Sequence, residues 1–434
     1  MPANRIRDAF ARLRRTDVVT HWRWLLLGAV LLATIARLLS YSVVVTEDYI
    51  VRSPHSDYGQ YADIARNLVA GNGFVLYNQP NIRRAPGFPV FVAGIYAVFG
   101  ESTRAVIVAN SLLTIGIVLL TGMLGRRIAG ERVGLVAACL VAINPVQVKY
   151  GLAPLSEPLF TLLVVAGIVV LTPFANQFNW KRAAVGGVLI GLACLVRSSI
   201  LILPAFLGAW WLWRLRWSGI VMTAVFTMAM LSVIAPWTAR NWVVTGTLVP
   251  VNKMDGITFI TSNNRYVLED REYLGAVYMQ VPTAKGMHNW RQSPREQVEI
   301  DEIDKRTALT FIYDNLDRMP YLVTMKFARF FSLLTRIPIH LKIILYSLDV
   351  VFVPISIIGV VILFQNRRWA IGPSLAFVVA TMVAVAIFWG DSRFRFPIVP
   401  YYTIFASVAL SKAFVLLKAH GSRSVRNELA EGKV

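Results

Sequence analysis

The feature that most constrains this 434-residue chain is a succession of apolar stretches, many of them long enough to cross a bilayer. A hydrocarbon core about 30 Å thick takes about 20 helical residues at about 1.5 Å of rise each. Runs of that kind, two of them short, fall at 24–45, 104–125, 133–149, 156–174, 183–197, 200–213, 219–237, 349–365, 370–389 and 397–417. In lipid, each backbone N–H and C=O must find its partner inside the segment, so the runs are expected to be helices. The expected fold class is therefore an all-α integral membrane protein with about ten transmembrane helices. Composition agrees, since 56% hydrophobic and 16% charged residues with a mean hydropathy of +0.56 do not describe a soluble domain.

The charge balance supplies a topology. Lys and Arg number 44 against 24 Asp and Glu, a formal +20. In a soluble protein that excess would suggest nucleic acid, yet no basic helix face carries interleaved stacking aromatics, so no nucleic-acid partner is expected. Instead the basic residues collect in short links: the leader 1–23, "GRRIAGER" at 125–132, "NWKR" at 179–182, "RLRW" at 214–217, "NRRW" at 366–369 and the tail 418–434. By the positive-inside rule these face the cytoplasm and anionic membrane lipid, and so do both termini. The outer side then holds the loop 46–103, a short link at 150–155, a turn near Arg197, a long loop 238–348 between helices seven and eight, and 390–397. The resulting division is a leader 1–23, a transmembrane catalytic module 24–237, the exterior loop 238–348, C-terminal helices 349–417 and a tail 418–434. The first run is longer than a signal-peptide core and reads as a retained anchor. Cys139 and Cys194 both lie in apolar runs, which excludes a disulfide framework and a cysteine-rich zinc site.

In the first outer loop, "SPHSDYGQYADIARNLVAGNG" places Tyr61, Ile64, Ala65 and Leu68 on one helical stripe and ends in glycines suited to a C-cap. Helices lying in the membrane interface are expected at 58–70 and 86–99. Asp57 at the head of the first has two readings, a first-turn or N-cap acid and a functional carboxylate. Charges recur at the outer ends of other spans: Arg84, Lys149, Glu157, Arg197, Arg240, Arg393 and Arg395. Each has a local explanation as a helix-end or snorkelling charge. Together they place acids and cations on one face, which suits a lipid-linked phosphate substrate.

The order of "D-x-x-x-Y" at Asp57 and Tyr61, "GNGF", "RRAPGFP", "NP", "SEPLF", "GLACLVR", "PWxxRN" and "SRFRFPIVP" resembles the GT-C glycosyltransferases that use polyprenyl-phosphate sugars. The likeness is to the bacterial relatives of protein O-mannosyltransferases and of the lipid A aminoarabinose transferase. It implies a GT-C fold, a polyprenyl-phosphate sugar donor and Asp57 as catalytic base. Arg84 stands where relatives carry Lys or His before a Pro-Pro pair, and Glu157 matches the acid of the second outer loop. Many relatives carry an Asp-Glu pair in the first loop where this chain has Asp57 and Tyr58. A divalent metal, held by Asp57 and Glu157 if by anything, is thereby left open and no cofactor is assigned.

Inverting transfer needs a base, positive charge for a departing phosphate and an apolar groove for lipid. Asp57 would supply the base. Arg84, Arg393 and Arg395 would supply the charge, the last two through an extended "RFR" that points both guanidiniums the same way. His55 is left outside the site, and Asp255, Asp270, Asp301 and Asp304 are expected on a solvated surface of the long loop. Sugar and acceptor, whether lipid, glycan or protein, stay open. Two other classes fit less of the pattern: a transporter or flippase for a lipid-linked saccharide, which would favour midplane charges and paired repeats, and a non-catalytic scaffold. The expected location is the cytoplasmic membrane, with the site facing the periplasm or exterior.

Overall fold

A computed structural model describes residues 21–41, 56–172, 177–281, 292–332, 339–388 and 390–430. Most of the basic leader, the end of the first apolar run and His55 lie outside the described residues. The chain is almost wholly helical. In order the elements are α1 (His21–Tyr41), α2 (Asp57–Val69), β1 (Val75–Leu76), β2 (Gln79–Pro80), α3 (Gly87–Phe99), α4 (Thr103–Ala129), α5 (Glu131–Ile143), α6 (Pro145–Gly151), α7 (Glu157–Leu171) and α8 (Trp180–Val196). There follow α9 (Leu203–Leu215), α10 (Trp217–Thr245), α11 (Asp255–Ser262), α12 (Arg265–Glu269), α13 (Pro294–Asp314), α14 (Met319–Phe330), α15 (Ile339–Gln365), α16 (Gly372–Ile387) and α17 (Val399–Ala430). A 3-10 segment, Ser392–Ile398, leads into α17.

Among the described residues six helices are long and apolar enough to cross a membrane, or seven if the bent pair α5 and α6 forms one span. Gly87–Phe99, Glu157–Leu171 and Asp349–Gln365 are apolar but shorter. The span expected at 219–237 is part of a longer helix that continues through Pro236 to Thr245. The run at 133–149 breaks by 55° between Ile143 and Pro145. Its cause is local. Proline has no N–H to continue the ladder, and Asn144 takes over as a cap, its Oδ1 accepting from Val146 N at 3.0 Å and Gln147 N at 3.2 Å.

Helices approach through small residues, as they must where lipid offers little hydrophobic drive. A Cβ on Gly187 of α8 would stand 2.3 Å from Phe226 O of α10, and one on Gly191 would stand 2.8 Å from Met230 O. At the site, Gly87 matters most, because its Cβ would meet Val196 Cγ2 at 2.7 Å and Leu195 O at 2.9 Å. Only glycine lets the start of α3 sit against the end of α8, which brings the strap carrying Arg84 beside the turn carrying Arg197.

Helices stand where the two interfacial ones were expected, at Asp57–Val69 and Gly87–Phe99. The cap of α2 is Ser56, whose Oγ accepts from Gly59 N at 3.1 Å, so Asp57 is a first-turn residue rather than the cap. The long loop carries α11 to α14, and two of its acids are not on a solvated surface: Asp301 is 5% and Asp304 1% exposed. Asp301 accepts from Gly256 N at 2.9 Å and Ile257 N at 3.2 Å, capping α11, and pairs with Lys253 at 3.2 Å.

Candidate active site

Five charged groups from four parts of the chain meet at one end of the bundle. Asp57 begins α2, and its Oδ1 lies 2.8 Å from Arg84 Nη2 on the strap before α3. Its other oxygen, Oδ2, accepts from Arg393 Nη1 at 2.6 Å. Arg393 also grips Glu157 with both arms of its fork, Nε to Oε1 and Nη2 to Oε2, the latter at 3.2 Å. Glu157 Oε1 is met in turn by Arg197 Nη1 at 2.5 Å. The groups thus alternate as Arg84, Asp57, Arg393, Glu157 and Arg197.

Each member is held by its surroundings. Arg84 donates through Nε to Gln60 Oε1 at 2.8 Å, its backbone N–H bonds Asn81 Oδ1 at 2.8 Å, and its guanidinium lies 5.2 Å from the Tyr61 ring centroid. Arg197 also donates to Ser156 Oγ at 3.2 Å and stacks 4.9 Å from the Phe394 ring. Asp391 Oδ1 accepts from Arg393 N at 2.7 Å and starts the 3-10 turn. Exposure differs sharply between the two acids. The Glu157 side chain is fully buried, whereas that of Asp57 is 32% exposed, so an incoming hydroxyl can reach Asp57.

The electrostatics follow from this arrangement. Burial would raise the Asp57 carboxyl, but the charges of Arg84 and Arg393 outweigh it and hold the group well below the usual carboxylate range. Arg84 is moved the other way: burial opposes its charge, and Asp57 more than restores it. Asp57 is therefore ionised at any physiological pH.

Residues 83–239, less than half of the chain, match the model of the family described as dolichyl-phosphate-mannose-protein mannosyltransferase. Among solved structures, the oligosaccharyltransferase AglB of Archaeoglobus fulgidus, in complex with an inhibitory peptide and a dolichol-phosphate, aligns with a TM-score of 0.56 at 12% identity. That alignment covers 94% of this chain and 52% of the other. The A. fulgidus oligosaccharyltransferase tethered to an acceptor peptide gives 0.57 at 13% identity, over 93% and 51%. The fold is the one these oligosaccharyltransferase structures share. The chain spans about half the length of these two solved relatives. ArnT of Cupriavidus metallidurans, bound to undecaprenyl phosphate, aligns at 12% identity over 89% of this chain and 78% of the other with a TM-score of 0.43. No curated protein sequence matches the chain.

Within this fold the other expected site residues lie in different settings. Arg240 pins the β-hairpin, donating to Asn81 O at 2.7 Å and Phe74 O at 3.2 Å and stacking 4.9 Å from the Trp237 ring. Lys149, on the last turn of α6, has its ammonium 5.9 Å from the Tyr150 ring. Arg395 departs most from expectation. The segment is a 3-10 turn, not an extended strand, so residues two apart point to different sides. Arg395 is fully buried and pairs with Asp349 at 2.8 Å.

A divalent ion shared by Asp57 and Glu157 does not fit this arrangement, because Arg393 occupies the space between the carboxylates and bonds both. No group of three or more His, Cys, Asp or Glu able to hold a metal occurs among the described residues. Gln60, which orients Arg84, was not singled out from the sequence, although three residues after Asp57 it shares that helix face. Asp349 was also passed over, an acid inside an apolar run being its signal.

Proposed function

We propose that the chain is an inverting glycosyltransferase that moves a sugar from a polyprenyl-phosphate donor to an envelope acceptor on the outer side of the cytoplasmic membrane. The observation that carries this reading is a partly exposed carboxylate, Asp57, set between two guanidiniums at one end of an apolar bundle. Donor chemistry is supported by the family match and by the dolichol-phosphate in the AglB complex, within a shared fold.

Asp57 acts as general base. The acceptor oxygen bonds to the sugar C1 as the C1–O bond to phosphate breaks, and the hydroxyl proton passes to the carboxylate. Attack from the face opposite the phosphate inverts C1. A carboxylate held at low pKa is a weak base, so the proton moves as the new bond forms and not beforehand. Arg84 and Arg393 receive the charge that develops on the phosphate, since guanidinium forks grip phosphate with paired hydrogen bonds. Glu157 holds Arg393 and Arg197 in place. Lys149 stays a candidate for the lipid phosphate, while Arg240 and Arg395 act through the elements they brace.

The test is purified protein in nanodiscs with a radiolabelled polyprenyl-phosphate sugar. Sugar transfer or slow donor hydrolysis, lost in Asp57→Asn, supports the enzyme. Saturable binding with no chemistry would return the protein to the transporter reading. Mass spectrometry of envelope lipids, glycans and proteins from cells lacking the chain would name the acceptor.

A further inference from the structure

A second cluster of charge lies inside the bundle, apart from the five groups above. Asp349 and Arg395 are both fully buried and joined at 2.8 Å. Asp349 Oδ1 also accepts from Asn144 Nδ2 at 2.8 Å and from the Tyr402 hydroxyl. Arg395 donates through Nη1 to Phe330 O at 2.9 Å and through Nη2 to Ser332 Oγ at 3.2 Å. One step further on, Gln147 Nε2 donates to Phe396 O at 2.7 Å. The pair thus ties together the break between α5 and α6, the end of α14, the helix α15 and the start of α17.

Such a pair is costly to bury, and apolar residues of similar volume often hold a fold as well. Charges of this kind inside a membrane protein mark function more often than stability. What it holds here is the turn Ser392–Ile398. In a 3-10 turn, residues two apart lie on different sides, so fixing Arg395 inward aims Arg393 outward. Just before the turn, Gly390 packs closely on α14, where a Cβ would stand 1.8 Å from Lys326 O. We propose that Asp349 and Arg395 are a positioning pair that sets the Arg393 guanidinium between Asp57 and Glu157. Neither residue touches substrate. The proposal rests on the site assigned above for its catalytic meaning, but its geometry does not depend on that assignment.

The test therefore reads Arg393 directly. Full-length protein in nanodiscs is treated with phenylglyoxal, which modifies accessible arginines, and the rates at Arg393 and Arg37 are followed by peptide mass spectrometry. Arg37 is a buried control in α1 that donates to Thr114 Oγ1 at 3.0 Å and Ala33 O at 2.9 Å. The double variant Asp349→Leu with Arg395→Met removes both charges and leaves none unpaired. Labelling at Arg393 should rise about fivefold, the factor for losing one hydrogen bond's worth of restraint, with Arg37 unchanged. A general loosening would raise both sites and overturn the proposal, and so would an unchanged Arg393. Should the double variant fail to fold, Arg395→Lys keeps the charge but not the fork, and it too must raise labelling at Arg393 alone or the proposal falls. Faster labelling in a protein whose wild type transfers no sugar would refute the glycosyltransferase reading and leave the positioning pair standing.

Discussion

Arg393 and Asp57 are 336 residues apart in the chain and meet at 2.6 Å. The contact brings the 3-10 turn before α17 against the start of α2. It also means that the carboxylate cannot be altered without changing what Arg393 faces.

Asp57→Asn is expected to lower transfer about 10²–10⁴-fold, the usual contribution of a general base. Helix α2 should keep its start, because the cap is Ser56. Ser56→Ala should do the reverse, costing about 1 kcal/mol of stability with the chemical step intact. Turnover and thermal melting of the two variants check this, and near-normal turnover in Asp57→Asn would remove the base from the mechanism.

The depressed Asp57 pKa fixes the direction of a pH effect. The carboxyl sits below its unfolded value of about 3.9, so the stability it contributes is complete above that pH and fades as the pH falls beneath it. Arg84→Gln removes one cause of the depression. The acid limb of kcat at saturating donor should then move upward by about 1–3 units, the range for an acid beside an arginine. A limb that stays in place would show that Arg84 does not act on Asp57.

Arg393→Lys should weaken donor affinity by about 1–3 kcal/mol, since lysine offers charge but not paired hydrogen bonds. Arg240→Lys should leave donor affinity alone and lower the melting temperature, because Arg240 braces the hairpin through Asn81 O and Phe74 O. Titration with a polyprenyl phosphate in nanodiscs separates the two, and equal losses at both positions would count against the assignment of Arg393.

Lys326 gives a separate signature. Its ammonium is buried, bonds Asn263 Oδ1 at 2.8 Å and Ile387 O at 3.1 Å, and burial lowers its pKa to about 7. The unfolded chain holds that proton up to about pH 10.4, so stability should rise between pH 7 and pH 10 with a slope approaching about 1.4 kcal/mol per unit. Lys326→Met should flatten that slope in thermal melts. An equal slope in the variant would mean that the lysine keeps its proton.

The apolar runs marked the helices because lipid imposes helicity on each segment alone, but of the ten expected spans only six, or seven with the bent pair, are long and apolar enough among the described residues. The break at Asn144 was not foreseen, the run at 133–149 being read as one helix, although its cause, an Asn-Pro pair inside an apolar run, is local. Arg395 was misread for the opposite reason. "SRFRFP" suits an extended strand as well as a 3-10 turn, and the choice is made by Asp349, Phe330 and Gln147, which belong to distant segments. Asp301 likewise resembles a solvated helix face until Lys253 and the start of α11 are placed against it. Asp57, Arg84, Glu157, Arg197 and Arg393 could each be singled out from local pattern together with resemblance, but which of these charges would be neighbours was a question of tertiary packing.

The alternating order of the five site charges has a consequence for how substitutions combine. Arg393 is the articulation point, the cation bonded to both acids, while Arg84 and Arg197 are terminal links. Losing a terminal link leaves four groups connected, but losing Arg393 divides them into two isolated pairs. Changes at Arg84 and Arg197 should therefore be epistatic while Arg393 is present and additive once it is gone, as for sites that no longer share a partner.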